Sequence, residues 1–308
     1  MDDKLQGMLI GLAVGDALGA LYEFSPLPAN QEPEMRRVSG TTGVWTDDTA
    51  MALCLADSLL EKEGYDSYDV MAKYSDWLTK GYRSFYDFGE GIGIQTGKAI
   101  QEFIESSPII PLSRERSTSA GNGTIMRLAP IVIATHKQPM EDTVKLAQVS
   151  ARETHYSAES EAGTEIFAAM LRNALKLSDK LQIVNVIEYV TDAVYSDMLA
   201  RVLEPTTQTQ LTNLGGYVVD ALRIAVWAFL EYDDIKDGYS AIIQLDGDTD
   251  TNAAIYGQLA GAYYGYETIP AKWRNNLYLG EEIRLLTSKL AEMKACPILQ
   301  TRFEEDDY

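Results

Sequence analysis

Apolar residues recur along most of the chain at the three- and four-residue intervals of an amphipathic helix. The segment 46–64 shows this spacing, and its last residue, a glycine, is a helix stop signal. Alternation of apolar and polar residues, which is typical of a half-buried strand, is scarce. The short runs 131–133 and 241–245 are the strand candidates, and either is compatible with helix. We therefore predict an all-α fold. The other helix-compatible segments are 67–79, 140–151, 167–174, 181–190, 216–230 and 283–293.

No internal repeat, low-complexity block or linker divides the chain. The prolines gather mainly in two short stretches, 26–33 and 108–111, where they indicate loops and not a domain boundary. We therefore predict one compact multi-helix domain over residues 1–308. Its last residues, 304–308, have the composition of a solvated acidic tail.

Two of the helix-compatible stretches carry a glycine every four residues. Glycine inside a helix costs about 1 kcal/mol relative to alanine, so something must offset that loss. Removing the side chains from one helical face lets another backbone approach closely, and Asp16 within the first stripe excludes a lipid environment. We predict that both stripes are tight packing surfaces. The first stripe is Gly7, Gly11, Gly15 and Gly19, and the second is Gly257, Gly261 and Gly265.

The 308-residue chain is strongly acidic, with 26 Lys and Arg residues against 46 Asp and Glu residues and a formal net charge of −20. That balance argues against general nucleic-acid binding and against an anionic membrane as partner. Cys54 and Cys296 give neither a disulfide framework nor a zinc-site spacing, which favours a reducing cytoplasm. The apolar stretch 8–14, soon interrupted by Asp16, fits neither a signal peptide nor a membrane-spanning helix.

Two acidic clusters open predicted helices, one at residues 45–49 and one at residues 246–252. Thr, Asp and Asn are preferred N-cap residues, and the helix dipole favours carboxylates in the first turn. Capping needs only one such residue, however, and the two clusters would repel strongly if they met without a cation. Oxygen ligands without a Cys or His cluster suit magnesium, manganese or calcium. The clusters are therefore compatible with a metal site and with helix capping.

Other metal and phosphate motifs fit the chain less well. An EF-hand starting at Asp246 requires glycine at its sixth position and glutamate at its twelfth, where the chain has Thr251 and Gly257. The glycine-rich stretch 89–99 is neither a Walker motif nor GxGxxG. A dehalogenase-type phosphatase, in which Asp246 follows a strand and is phosphorylated, is an alternative, although that motif normally starts its domain.

The segment 117–123 combines small and hydroxyl side chains with two glycines and leads into a helix-compatible stretch. Backbone amides exposed at such a loop can hold a pyrophosphate without a basic protein surface. An ordinary flexible turn explains the same composition, so this segment alone leaves both interpretations open.

Four motifs follow one another in order between Gly7 and Trp273, which is nearly the whole chain. They are GLAVGDALG at 11–19 followed by Glu23, WTDDTAM at 45–51, GNG at 121–123 followed by Met126, Arg127, Ala129 and Pro130, and GDTDTNAA at 247–254. Each motif is weak alone, but the ordered set is specific. With it, the chain resembles the ADP-ribosylglycohydrolase family, which includes the dinitrogenase-reductase-activating glycohydrolase and the animal ADP-ribosyl-acceptor hydrolases.

The resemblance implies an all-helical domain with two divalent cations, Mg²⁺ or Mn²⁺, at the base of a cleft. There the bond between C1″ of ADP-ribose and its acceptor would be hydrolysed, with an ADP-ribosylated protein or another ADP-ribosyl acceptor as partner and free ADP-ribose as product. Glu23 would be the catalytic acid or base, and Asp16 would have a structural role. The implied metal ligands are Thr46, Asp47, Asp48, Asp248, Asp250 and Thr251.

The resemblance also implies a set of substrate contacts. Asp87, in a loop similar to one of the dinitrogenase-related branch, would hold a cationic acceptor, which favours arginine. His155 matches a position near the ligand, and Tyr217 lies in a segment similar to the adenosine side. The implied diphosphate-binding residues are Ser119, Gly121, Asn122 and Gly123.

The chain departs from the family pattern at Asp246, which stands where the first of two glycines is usual. The extra carboxylate either adjusts metal affinity or points to solvent. The alternative function is a non-catalytic ADP-ribose binder or a crystallin-like structural protein on the same fold. The presence of every ligand-type residue together with Glu23 argues against it. Arginine, serine, a nucleic-acid end and a small molecule all stay open as acceptors.

Overall fold

Helices dominate the computed structural model, which describes residues 2–29, 31–106, 120–189 and 193–303. The strands among these residues are only two or three residues long, so the predicted all-α fold is confirmed. The helices are α1 (Asp2–Gly19), α2 (Asp47–Lys62), α3 (Ser67–Lys80), α4 (Ile94–Ser106), α5 (Ala129–Thr135), α6 (Met140–Arg152), α7 (Ala158–Lys176), α8 (Lys180–Val184), α9 (Ala193–Val202), α10 (Val218–Glu231), α11 (Ile235–Ile243), α12 (Thr249–Tyr264), α13 (Ala271–Arg274) and α14 (Gly280–Glu292).

Four short strands form two small sheets within the described residues. β1 (Arg37–Val38) pairs antiparallel with β2 (Thr41–Thr42). β3 (Tyr65–Asp66) pairs parallel with β4 (Ile298–Gln300), so the C-terminal part of the chain is fastened beside the start of α3.

The strand candidates 131–133 and 241–245 are not strands. The first lies inside α5, and the second lies at the end of α11. Both runs are largely buried, and a short apolar run buried on all sides does not reveal its period. The predicted helix 181–190 is interrupted, because α8 stops at Val184 and a separate 3-10 turn covers Ile187–Tyr189.

The centre of the fold is a seam in which the backbones of α1 and α12 pack directly against each other. A Cβ atom at Gly11 would overlap the carbonyl of Gly257, and one at Gly7 would overlap the carbonyl of Gly261. The hydroxyl of Tyr239, in the neighbouring helix α11, donates a hydrogen bond of 2.7 Å to the Gly11 carbonyl. The predicted role of the glycine stripes as packing surfaces is therefore confirmed, and each stripe is the partner of the other.

The two helices of the seam run antiparallel, so the end of α1 lies beside the beginning of α12. A Cβ atom at Gly19 would overlap the backbone of Asp250. The Thr249 hydroxyl donates to the Gly19 carbonyl at 3.0 Å, across a sequence separation of 230 residues. Groups that follow α1 must therefore meet groups that begin α12.

Further helices surround the seam. α7, α10 and α11 pack on α12, while α2 and α14 pack on α1. Large side chains such as Trp45, Trp77, Phe167 and Phe229 are buried between these layers. Among the residues that the structure describes, no helix has the length and apolar character needed to cross a lipid bilayer. The predicted acidic tail, 304–308, lies outside the described residues.

Candidate active site

At the acidic starts of α2 and α12 the N-cap side chain does not cap the helix, although Asp250 Oδ1 accepts from the Thr251 backbone N–H at 2.9 Å. In α3, α8 and α11, the aspartate before the helix accepts hydrogen bonds from backbone N–H groups of the first turn. The N-cap residues of α2 and α12, Thr46 and Asp248, make no such side-chain bond. Helix capping therefore does not explain the two acidic clusters. The capping aspartates of the other three helices are Asp66, Asp179 and Asp234.

Asp16 of α1 supplies the missing cap of α2. Its Oδ1 accepts from the backbone N–H and the hydroxyl of Thr46, at 2.8 and 2.9 Å. Its Oδ2 accepts from the backbone N–H and the hydroxyl of Thr49, at 3.0 and 2.6 Å. Asp16 is fully buried, and burial raises its pKa while these four hydrogen bonds lower it. The contacts of Asp16 are structural, and they fix the first acidic cluster to the seam.

Five carboxylates from three segments form what we call the acidic cup: Glu23, Asp47, Asp48, Asp248 and Asp250. Oxygen atoms of Glu23, Asp248 and Asp250 lie within 4.8 Å of one another. Asp47, Asp48 and Asp250 are at most 7% exposed, whereas Glu23 is on the open side. The structure thus brings both sequence clusters and Glu23 to one place at the end of the seam.

The carboxylates of the cup repel one another. Burial, then the charge of Asp16, raises the pKa of Asp47 to about 8. Burial, followed by the charges of Asp16 and Asp47, raises the pKa of Asp48 well above its usual range. For Asp250, burial and the charge of Asp248 also raise the pKa strongly. Several carboxylates held this close need a compensating positive charge or protons.

The donor set of the cup fits a hard divalent cation. Asp48 Oδ1 is fully buried and has no hydrogen-bond partner among the described residues, so it is free to act as a ligand. The hydroxyl-bearing Thr46 and Thr251 flank the carboxylates and are 8% and 7% exposed. Carboxylate and hydroxyl oxygens are ligands that Mg²⁺ and Mn²⁺ accept, and no thiolate lies among them.

The glycine loop, residues 121–123, lies against the cup. Asn122 donates from Nδ2 to Asp248 Oδ2 at 2.8 Å, and its backbone N–H donates to the Gly216 carbonyl at 2.8 Å. The loop therefore borders the second acidic cluster directly. Ser119, which the resemblance also assigns to this loop, lies outside the described residues.

His155 lies beneath the glycine loop. A Cβ atom at Gly121 would lie 2.6 Å from His155 Nε2, and one at Gly123 would lie 2.8 Å from Cε1, so a larger residue at either position would displace the ring. Burial, aided by the charge of Arg127, lowers the pKa of His155 to about 3. The imidazole is therefore neutral at physiological pH.

Tyr217 lies beside the same loop, where its backbone pairs with that of Gly121 in an antiparallel β-type contact. Its hydroxyl accepts from Arg201 Nη2 at 2.6 Å and donates to Glu159 Oε1 at 2.8 Å. These two bonds fix the orientation of the Tyr217 ring. Sequence reasoning singled out Tyr217 but neither of the charged residues that hold it.

Asn213 is a structural part of the site that the sequence analysis missed. Its side-chain oxygen accepts from the Tyr217 backbone N–H at 2.9 Å, and its carbonyl accepts from the Asp248 backbone N–H at 3.0 Å. Its Nδ2 donates to Asn252 Oδ1 at 3.0 Å. A single asparagine in a turn carries no sequence signal that would reveal these contacts.

The loop between α3 and α4 reaches over the cup. Gly91, at φ +86°, lies so close to Asp47 that a Cβ atom would overlap Asp47 Oδ1. Beside it, Glu90 forms a two-bond ion pair with Arg36, with N···O distances of 3.0 and 2.5 Å. Asp87 is exposed on this loop and makes no hydrogen bond or ion pair within the described residues. Asp87, the residue expected to hold the acceptor, thus lies on the loop whose Gly91 contacts the cup.

Asp246 points to solvent, which is one of the two outcomes expected for it. The segment before it is the end of α11, so the strand that a dehalogenase-type phosphatase requires is absent at that place. The phosphatase alternative, with Asp246 as the phosphorylated residue, is therefore wrong.

Comparison with known proteins bears on the whole chain. The family model for ADP-ribosylglycohydrolase matches residues 1–297. The ADP-ribosylarginine hydrolase Tri1 of Serratia proteamaculans is 31% identical over 313 aligned residues, covering 94% of this chain and 80% of the relative. The ADP-ribosyl-[dinitrogen reductase] glycohydrolase of Rhodospirillum rubrum is 29% identical, covering 89% and 90%. A solved structure titled ADP-ribosylglycohydrolase-related protein complex superposes with a TM-score of 0.79 at 35% identity, covering 96% and 99%.

These matches agree with the motif order in the sequence and with the helical fold. Enzymes of this kind hydrolyse the glycosidic bond that links ADP-ribose to an acceptor, which is the activity that the four motifs imply. The chain belongs to the ADP-ribosylglycohydrolase family.

Proposed function

We propose that this enzyme releases ADP-ribose from ADP-ribosylated arginine side chains of proteins, and that two divalent cations, Mg²⁺ or Mn²⁺, in the acidic cup support the reaction. The observation that carries the proposal is the contact between Asn122 of the glycine loop and Asp248 of the cup. It joins an anion-binding loop to a cation-binding cup. ADP-ribose offers both a diphosphate and a ribose with vicinal hydroxyls, so one ligand satisfies both.

The residues that would hold the cations come from both acidic clusters. Asp48 contributes an unpartnered buried oxygen, and Asp250 contributes a buried carboxylate from the facing helix. Bound divalent cations would orient the ribose and lower the pKa of the attacking water. The remaining proposed ligands are Thr46, Asp47, Asp248 and Thr251.

The protein groups around the cup would fix the substrate in one orientation. The glycine loop would hold the diphosphate through its backbone N–H groups. The ring of Tyr217, fixed by Arg201 and Glu159, would lie on the adenosine side. Holding the diphosphate and the adenosine would place C1″ at the cup, and such positioning can supply a large share of the lowering of a reaction barrier.

Glu23 is the residue that we assign to proton transfer. Its carboxylate lies at the open edge of the cup, within reach of Asp248 and Asp250. As the bond between C1″ and the guanidine nitrogen breaks, Glu23 donates a proton to that nitrogen. The resulting carboxylate then accepts a proton from the water whose oxygen bonds to C1″. Glu23 thus returns to its starting state after each turnover.

Arginine as the acceptor is supported by two independent points. A relative that is 31% identical is named an ADP-ribosylarginine hydrolase. The exposed Asp87 lies on the loop over the cup and offers a carboxylate to a cationic guanidinium. Serine-linked ADP-ribose has no such cation.

We also infer a single domain working in a reducing cytoplasm. α1 packs on α12 and α14, so the N-terminal and C-terminal helices share one core. Cys54 and Cys296 are both free and buried, which suits a compartment without disulfide formation.

The test is a panel of arginine-linked and serine-linked ADP-ribosylated peptides, assayed with Mg²⁺, with Mn²⁺ and after treatment with a chelator. We expect free ADP-ribose from the arginine-linked peptides with either metal and none after chelation. Asp248→Ala should abolish release, whereas Asp246→Ala, two residues away and exposed, is the matched control and should keep it. Binding of ADP-ribose without turnover of any peptide would instead indicate a non-catalytic binder.

A further inference from the structure

The imidazole of His155 forms the floor of the glycine loop. The side chain is 3% exposed, and the ring edge that carries Nε2 faces Gly121 and Gly123. Within the described residues, Nε2 has no hydrogen-bond partner, although the opposite ring nitrogen has one. If Nε2 carries the ring proton, it can donate a hydrogen bond to a ligand in the loop; if it does not, it can only accept one.

A short chain of polar contacts leads from Arg127 to this ring. Arg127 Nη2 donates to the Thr154 hydroxyl oxygen at 2.6 Å, and that oxygen lies 2.9 Å from His155 Nδ1. Arg127 Nη1 donates at 2.7 Å to the carbonyl of Gly123. One guanidinium thus touches both the glycine loop and the residue next to the imidazole. Arg127 and Thr154 are 1% and 2% exposed, so water does not compete for these contacts.

The direction of each hydrogen bond follows from what each group can donate. Arginine is only a donor, so the Thr154 oxygen accepts from Arg127. The hydroxyl has one hydrogen, and His155 Nδ1 is the acceptor that lies within reach of it. If Nδ1 carried a proton and donated to Thr154, the buried hydroxyl hydrogen would have no acceptor among the described residues, which is unfavourable. Nδ1 is therefore the acceptor, and the ring proton is on Nε2.

We propose that Arg127 and Thr154 are positioning residues that hold His155 in the neutral Nε2–H tautomer, so that Nε2–H donates to a diphosphate oxygen of ADP-ribose in the glycine loop. The diphosphate part of this proposal rests on the proposed function. The charge of Arg127 polarises the hydroxyl and, through it, the imidazole, which makes Nε2–H a stronger donor than an isolated neutral imidazole.

Neutrality of the ring is also favoured by its surroundings. Burial and the nearby Arg127 lower the pKa of His155 to about 3, so no proton is added to Nδ1 at neutral pH. A neutral donor holds the diphosphate without placing a second full positive charge beside the guanidinium. The hydrogen bond to the ligand would then persist across the physiological pH range.

The second histidine of the chain is a built-in reference with the opposite tautomer. His136 Nδ1 lies 2.7 Å from the backbone carbonyl of Ile133. A carbonyl is only an acceptor, so Nδ1 of neutral His136 carries the proton. The chain has two histidines, so its imidazole spectrum contains two spin systems.

The experiment is a long-range ¹H–¹⁵N correlation of the ¹⁵N-labelled full-length protein at neutral pH, with signals assigned by His136→Gln. We expect one Nε2–H pattern, from His155, and one Nδ1–H pattern, from His136. Thr154→Val removes the hydroxyl but keeps the shape, and should abolish the single Nε2–H state of His155. Thr154→Ser, which keeps the hydroxyl, should retain it. Neither variant should change the His136 pattern.

Calorimetric titration with ADP-ribose gives the functional result for the same variants. Thr154→Val should bind about tenfold more weakly, as expected for loss of one hydrogen bond to a charged oxygen, and Thr154→Ser should bind as the wild type does. An Nδ1–H pattern for His155 in the wild type would overturn the proposal, as would unchanged affinity in Thr154→Val. Failure of the wild type to bind ADP-ribose would contradict the proposed function instead, because the nitrogen pattern does not depend on a ligand.

Discussion

The two helix starts that form the acidic cup have the same kind of sequence but are held in place by different means. The start of α2 is fixed by Asp16, a buried carboxylate that adds its own charge to the repulsion felt by Asp47 and Asp48. The start of α12 is fixed by neutral groups, namely the glycine seam and the amides of Asn122 and Asn213. We therefore expect the stability of the α2 half to depend more on bound cations, and that of the α12 half to depend more on close packing.

The largest expected effect is the loss of catalytic activity when a carboxylate charge is removed from either half of the cup. Asp48→Asn in α2 and Asp250→Asn in α12 each remove one charge from the cup without changing its shape. Each should lower kcat/KM for an arginine-linked substrate by about 1000-fold or more, because metal-ion stabilisation of a transition state is worth several kcal/mol. Initial rates at saturating Mg²⁺ measure this. If one variant kept near wild-type rates, that half would not belong to the catalytic centre.

The next largest effect is a loss of stability on disturbing the packing of α12 against α1, which leaves the charges of the cup unchanged. Gly15 faces the backbone of Ala253, so Gly15→Ala forces α1 and α12 apart. We expect the free energy of unfolding, measured by urea denaturation without metal, to fall by about 3 kcal/mol or more. Gly93→Ala is the matched control, since a Cβ atom there meets nothing within 4 Å. Equal stability of the two variants would contradict a close-packed seam.

A smaller effect should show the cation dependence of the α2 half. Mg²⁺ binding to the folded cup should raise the free energy of unfolding by about 2.7 kcal/mol at a concentration 100 times its Kd. Thermal melts with and without Mg²⁺ measure the shift. Asp48→Asn should lose most of it, because a neutral amide replaces the carboxylate that carries the unpartnered oxygen. The same shift in the variant and the wild type would place the cation elsewhere.

The smallest effect is a pH dependence that arises near the glycine loop. The pKa of His155 is lowered from 6.5 to about 3, so below pH 6.5 the unfolded chain binds a proton that the folded chain does not. The contribution of His155 to stability is complete above pH 6.5 and is lost as the pH falls toward 3. Between pH 6.5 and 5.5 the loss should be about 1 kcal/mol, because the unfolded imidazole is already half protonated at pH 6.5. Urea denaturation should show a weaker pH dependence in His155→Gln, and an unchanged one would contradict this assignment.

The helices and the seam could be predicted from the sequence because their signals are local and periodic. Glycines every four residues have few explanations other than backbone contact, and Gly11 and Gly257 indeed face each other. The runs 131–133 and 241–245 could not be assigned, because a residue buried on every side has no polar face to mark its period.

The acidic clusters were visible in the sequence, but what holds them was not. The resemblance implied a structural role for Asp16 but not its partners, since Thr46 and Thr49 lie 30 and 33 residues away. The ion pair of Arg36 with Glu90 joins residues 54 positions apart and leaves no local pattern. Contacts of this kind depend on the tertiary fold, so a single sequence does not reveal them.

The glycine seam has a consequence for the synthesis of the protein. α1 is synthesised before α12, yet from Gly7 onward all residues of α1 become buried, largely against a helix that begins at Thr249. At roughly 5–20 residues per second, this apolar segment waits on the order of ten seconds or more for its partner. Throughout that interval the acidic cup is incomplete, so hydrolysis can begin only after the segment Thr249–Tyr264 has been synthesised and has packed against α1.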